Sequence, residues 1–224
     1  MKNKYVRHSH ISEAKFRSIL RLFETDIEAS KIAKIVKISR PTINGLLYKI
    51  RGRIAYMAES ESIFTTGEIE LDESYFGPKR VRGKRGRGSA GKMKVFGMKK
   101  RNDKVYTQIV RNCTAAELVP IIKRLAPNDC TIYSDEWKAY DGLVHAGYKH
   151  HYRVRHGNDN FTNGKAHVNG IENFWGIAKT RLTRFRGIKS GKFYLHLKET
   201  EWRFNHRHEN IYLILLTEFR EYPL

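Results

Sequence analysis

A chain of 224 residues is long enough for one main domain with a sizeable core plus a small accessory. Its 43 Lys and Arg against 23 Asp and Glu give a net charge of +20, a field that favours a polyanion such as nucleic acid, although a basic structural protein would share it. Cys113 and Cys130 form no Cys-x-x-Cys pair and no Cys/His set at zinc spacing, and no apolar run approaches the roughly 20 residues of a membrane span. Structural zinc, a membrane partner and export are therefore not expected, and a soluble protein of the reducing cytoplasm is.

Residues 12–23 place Phe16, Ile19, Leu20 and Phe23 at helical spacing, which predicts a short amphipathic helix. Thr25 followed by Glu28 reads as a capping box that opens a second helix, with Ile27, Ile32, Ile35 and Val36 continuing the apolar face. Ser39 opens a third, Arg40 to Arg51, with Ile43, Leu46, Leu47 and Ile50 buried. Two helices joined by residues 37–39 point to a helix-turn-helix whose second helix enters the major groove. Arg40, Thr42, Asn44, Tyr48 and Lys49 then face DNA; the alternative is a helical hairpin used only for packing.

From residue 67 the apolar period changes to two, predicting a strand over 68–76 and the start of a new domain. A loop from Lys79 to Gly91 sets Lys79, Arg80, Arg82, Lys84, Arg85 and Arg87 among four glycines and is expected to order on DNA. Strands at 93–100 and 104–110 are joined through Arg101, Asn102 and Asp103, composition suited to a tight hairpin. Thr114 and Glu117 form a capping box for a helix that Pro127 stops, followed by a strand ending at Asp135. A short helix (137–145), a strand (148–154) and a loop (156–168) lead to a helix beginning at Asn169. From residue 67 to the helix at Asn169 the order is β-β-β-α-β-α-β-α, and residues 191–224 read as two more helices.

Three carboxylates stand out against this frame. Cleaving a phosphodiester at neutral pH needs an activated oxygen nucleophile and a stabilised leaving oxygen, which two divalent ions about 4 Å apart supply, and hard ions take oxygen ligands. Asp72 lies mid-strand, on the face opposite Ile69 and Leu71, where a carboxylate is costly unless paired or metal-bound. Glu70 shares its face and Glu73 points away. Asp135 ends its strand, where ligand sites gather in sheets of this type, and parity turns Glu136 aside. Glu172 opens the helix from Asn169, where an Asn169/Glu172 capping box would equally explain it. Lys179 follows two turns along the same face, too far for an i,i+4 ion pair, and Arg181, Arg184 and Arg186 continue a basic surface suited to phosphate.

The segments ELDESYFGPKR (70–80), GKMKVFGM (91–98), IYSDEWKAYD (132–141), HVNGIENFWGIAKTRL (167–182) and EWRFNHR (201–207) resemble the DDE transposases of small bacterial insertion sequences over roughly residues 66–208. The resemblance implies an α/β fold, a ribonuclease-H-like mixed sheet flanked by helices, preceded by a small all-α helix-turn-helix-like domain. It implies that Asp72, Asp135 and Glu172 bind two Mg²⁺ or Mn²⁺ ions and that Lys179 contacts the transposon end. Some relatives carry Asn at the third acidic position, and Asn169 and Asn173 flank Glu172 here. The expected division is 1–62 for binding terminal inverted repeats and 63–224 for catalysis, acting as at least a dimer on DNA in the bacterial nucleoid. The rivals are a nuclease or junction resolvase of the same fold, which cuts without joining, and an inactive DNA-binding regulator.

Overall fold

A computed structural model describes residues 3–61, 64, 66–77, 92–135, 138–154, 167–185 and 188–224. In chain order its elements are α1 (Glu13–Glu24), α2 (Ala29–Val36), α3 (Arg40–Ser60), β1 (Glu68–Phe76), β2 (Met93–Lys100), β3 (Val105–Val110), α4 (Ala115–Leu125), β4 (Thr131–Asp135), a 3-10 helix (Lys138–Leu143), β5 (His151–Val154), α5 (Asn169–Arg184), α6 (Ser190–Asn205) and α7 (Ile211–Glu221). The chain divides into two units, Met1–Ala58 with Gly187–Leu224, and Glu59–Arg186.

The first unit is all helical. Ser12 caps α1 by accepting from the Lys15 N–H at 3.3 Å, and the 3.6-residue period brings Phe16, Ile19, Leu20 and Phe23 to one face. They pack with Ile32, Ile43, Leu47, Ile50, Trp202, Leu215 and Phe219 in one core, where each large apolar side chain contributes about 1.5–3 kcal/mol through burial. Phe16 stacks on Tyr5 at 5.2 Å and meets the edge of Phe219 at 5.9 Å. Arg203 donates to the Phe23 and Glu24 carbonyls at 2.6 and 2.9 Å, satisfying acceptors that the end of α1 leaves open.

Several expectations change here. The C-terminal helices, assigned from sequence to residues 63–224, belong to the helical unit, because Trp202, Tyr212, Leu215 and Phe219 complete its core. Thr25 and Glu28 form no capping box: Thr25 ends α1, its hydroxyl donating to the Leu22 carbonyl, and Glu28 occupies the N-cap of α2 without a side-chain cap bond. The third helix runs past Arg51 to Ser60 because Ile54, Ala55 and Ala58 continue its buried side. The expected turn is present: Lys37 ends α2 in the left-handed region at φ 53°, and the Ser39 hydroxyl accepts from the Thr42 N–H at 3.3 Å.

The second unit is built on a five-stranded sheet in the order β3-β2-β1-β4-β5, with β1/β2 and β2/β3 antiparallel and β1/β4 and β4/β5 parallel. This is the expected mixed sheet flanked by helices. The hairpin between β2 and β3 turns through Asn102 at φ 58°, a conformation Asn tolerates. One face of the sheet, with Ile69, Leu71, Phe96, Met98 and Ile132, packs on Leu118, Ile122, Tyr140 and Leu143.

Helix α4 starts at its expected place, but Glu117 accepts from the Arg111 and Asn112 N–H groups at 2.8 and 2.7 Å, and Thr114 makes no side-chain cap bond. The helix expected at 137–145 is a 3-10 helix. Strand β5 begins at His151 rather than 148, since Tyr148 is buried with its hydroxyl donating to the Ala126 carbonyl at 2.8 Å. Val168, not Asn169, takes the N-cap of α5 and has no side-chain cap bond, so an Asn169/Glu172 box is absent.

Candidate active site

Strand β1 delivers its side chains alternately to two faces, and Asp72 pairs with Gly97 of β2 on the face away from the α4 core. On the parallel neighbour, Glu70 pairs with Tyr133; two residues further along each strand come Asp72 and Asp135, on the same face by parity. Both are half-buried. The Glu73 N–H donates to the Asp72 carboxylate at 2.8 Å.

Helix α5 covers this face. Ile171, Phe174, Trp175, Ala178 and Leu182 are buried, while Glu172 and Lys179 are exposed. Trp175 lies so close to β2 that a Cβ on Gly97 would stand 2.4 Å from its Cζ2, so the missing side chain at the partner of Asp72 is what admits the indole.

The Asp72 carboxyl is pushed up to about 6, first by burial and further by the charges of Asp135 and Glu172. Carboxylates from β1, β4 and α5 thus act on one another electrostatically. The Glu73 N–H and the Trp175 indole oppose the shift, and the indole N–H completes no hydrogen bond among the described residues. Among the described residues no three His, Cys, Asp or Glu side chains already close on one point. Behind the strand, burial pushes Glu73 up to about 8, the charges of Asp72 and Asp135 adding to it, while Tyr140 donates to its carboxylate.

Residues 65–205, well over half of the chain, match the ISXO2-like transposase domain. The chain belongs to the ISXO2-like transposase domain family. An uncharacterized transposase-like protein of Haemophilus influenzae is similar to it, 42% identical over 102 residues, which are 46% of this chain and 81% of that protein. Among solved structures, the catalytic core domain of BIV integrase is similar at 15% identity and a TM-score of 0.40, covering 69% of this chain and 97% of that one. The pre-cleavage Mos1 transpososome follows at 10% and 0.26, covering 91% and 78%. Likeness this distant carries nothing about chemistry.

The other site residues read from the sequence of this ISXO2-like transposase fare differently. On α3, Arg40, Thr42, Asn44, Tyr48 and Lys49 are all exposed along one helix, although the Thr42 hydroxyl is 2.7 Å from that of Ser39. Arg181 is a correction: it is buried, its guanidinium over the Phe185 ring at 5.2 Å, so it does not extend the exposed surface of Lys179 and Arg184. Arg80, Arg82, Lys84, Arg85 and Arg87, with Glu136 and Arg186, lie outside the described residues.

Sequence reasoning missed the groups that hold α5 to the sheet. Glu70, 1% exposed, accepts from the Ile171 N–H at 2.8 Å and from Arg101 Nε at 3.2 Å. Arg101 also donates to Glu68 at 3.2 Å and to the His167 carbonyl at 2.8 Å, and lies 3.7 Å over the Tyr133 ring. Strand parity marked Glu70 as sharing the face of Asp72; nothing in the sequence said which helix it meets. No described helix is long and apolar enough to cross a membrane.

Proposed function

We propose that this ISXO2-like transposase binds the terminal inverted repeats of an insertion sequence, cuts the strand at each end and joins the freed 3′-OH to target DNA. The observation that carries the reading is the state of Asp72: a half-buried carboxyl raised first by burial and further by the charges of Asp135 and Glu172. Like charges held in mutual reach on separate elements are what a divalent cation relieves, and an all-carboxylate donor set fits hard Mg²⁺ or Mn²⁺.

Asp72, Asp135 and Glu172 would hold two such ions, which when bound supply activation of the attacking oxygen and charge stabilisation of the leaving one. The protein's own part is orientation. The Glu73 N–H fixes the Asp72 carboxylate, and Trp175 closes the sheet side of the site to water. Lys179, exposed two turns beyond Glu172, holds a phosphate of the transposon end. Cleavage and joining are successive in-line displacements at phosphorus, the first by water and the second by the 3′-OH. The exposed face of α3 and the basic segment 79–91 contribute DNA contacts, favoured by the +20 charge. Two ends must be held together, so the working form is at least a dimer on DNA, in the bacterial nucleoid.

The test is Asp72→Asn and Asp135→Asn in the full chain with labelled end DNA. Mg²⁺-dependent cleavage is expected to fall by about 10³-fold or more, since the ions these residues would hold stabilise both the attacking and the leaving oxygen, while end binding persists in a gel-shift assay. Undiminished cleavage by both variants sinks the assignment; wild-type cleavage without strand transfer selects a nuclease or resolvase instead.

A further inference from the structure

We infer that Glu70 is a positioning residue: from within β1 it grips the first turn of α5 and so sets where Glu172 presents its carboxylate. The inference rests on the reading of Glu172 as a metal ligand.

Helix α5 begins with Val168 at the cap position and no side-chain cap, leaving the first-turn N–H groups in need of acceptors. Glu70 supplies one from another element, accepting at 2.8 Å from the N–H of Ile171, the residue before Glu172. A carboxylate there also complements the positive end of the helix. Its second oxygen accepts from Arg101 Nε at 3.2 Å, and Arg101 fastens the chain entering the helix through the His167 carbonyl at 2.8 Å. Glu70 shares the face of Asp72, and each of its oxygens accepts from one of these partners. Gly170 gives an independent sign. A Cβ at that position would lie 2.7 Å from Glu70 Oε2 and 3.1 Å from Lys99 Nζ, so any side chain there would push the carboxylate away from the Ile171 N–H. With Asp72 on the same strand as Glu70, one strand fixes two of the three carboxylates, the first directly and the third through the helix.

The experiment measures Mn²⁺ binding to the full chain, from free Mn²⁺ by electron paramagnetic resonance, for Glu70→Ala, Glu70→Gln, Gly170→Ala, Glu172→Gln and the double variant Glu70→Ala/Glu172→Gln. Glu70→Ala and Gly170→Ala are expected to weaken binding about tenfold, the usual effect of losing a group that orients a ligand. Glu70→Gln, which keeps an acceptor for the Ile171 N–H, is expected to lose less and remains the measurable variant if the alanine form does not fold. The double variant is expected to bind no more weakly than Glu172→Gln alone, since Glu70 acts through Glu172. Ile122→Val, in the α4 core, lowers melting temperature without changing Mn²⁺ affinity if the effect is positional. Wild-type affinity in the Glu70 and Gly170 variants, full additivity in the double variant, or an equal loss in Ile122→Val overturns the inference. Wild-type affinity in Glu172→Gln instead overturns the reading beneath it.

Discussion

Glu73 and Asp72 are neighbours on β1 that face opposite ways, and burial raises both, to about 8 and about 6. An unfolded chain releases these protons near pH 4, so between about 4 and 8 the folded chain holds protons the unfolded chain has lost. Stability therefore falls as pH rises through that window. Glu73→Gln removes the larger part of this dependence. We expect it to match wild type near pH 5 and to melt several degrees above it at pH 8.5, given that 1 kcal/mol moves the melting point of a chain this size by about 2–4 °C. Calorimetric scans across pH check this, and a difference that does not vary with pH refutes it. Mg²⁺ is expected to raise the melting temperature more at pH 8 than at pH 5.5, because a protonated Asp72 cannot bind a cation; equal shifts at both pH values would count against Asp72 as a ligand.

Helix α5 and strand β2 meet with almost no spare room, and their glycines separate contact from mere tolerance. Gly97 is pressed by the Trp175 ring, whereas Gly176 on the open side of α5 has nothing within 4 Å. Gly97→Ala is expected to destabilise by about 1–3 kcal/mol through overpacking and to shift Trp175, which its fluorescence would report. Gly176→Ala is expected to stabilise by up to about 1 kcal/mol, the helix-propensity difference. Denaturant titrations of the two variants decide this, and a stable Gly97→Ala would show that the helix sits further from the sheet.

At the scale of the whole molecule, the chain's two ends build a single helical core. Phe219, fully buried, touches Phe16 across some two hundred residues of sequence. Phe219→Ala is expected to cost about 3–5 kcal/mol, and hydrogen exchange should then quicken in α1 and α3 as well as in α7; quickening confined to α7 would dissolve the unit. Much else was legible without coordinates. Strand period located β1 to the residue, strand parity put Asp72 and Glu70 on one face and Glu73 on the other, and the 3.6-residue period named the buried side of α1, α3 and α5. These are local regularities, in which each residue's direction follows from its neighbours along the chain. Three features were decided only by tertiary structure: α6 and α7 returning to the N-terminal helices, Arg181 turning inward over Phe185, and Glu70 capping α5 in place of Asn169. Each depends on partners brought together by packing between distant segments, and no periodicity along the chain encodes which apolar face or open helix end a given side chain will meet.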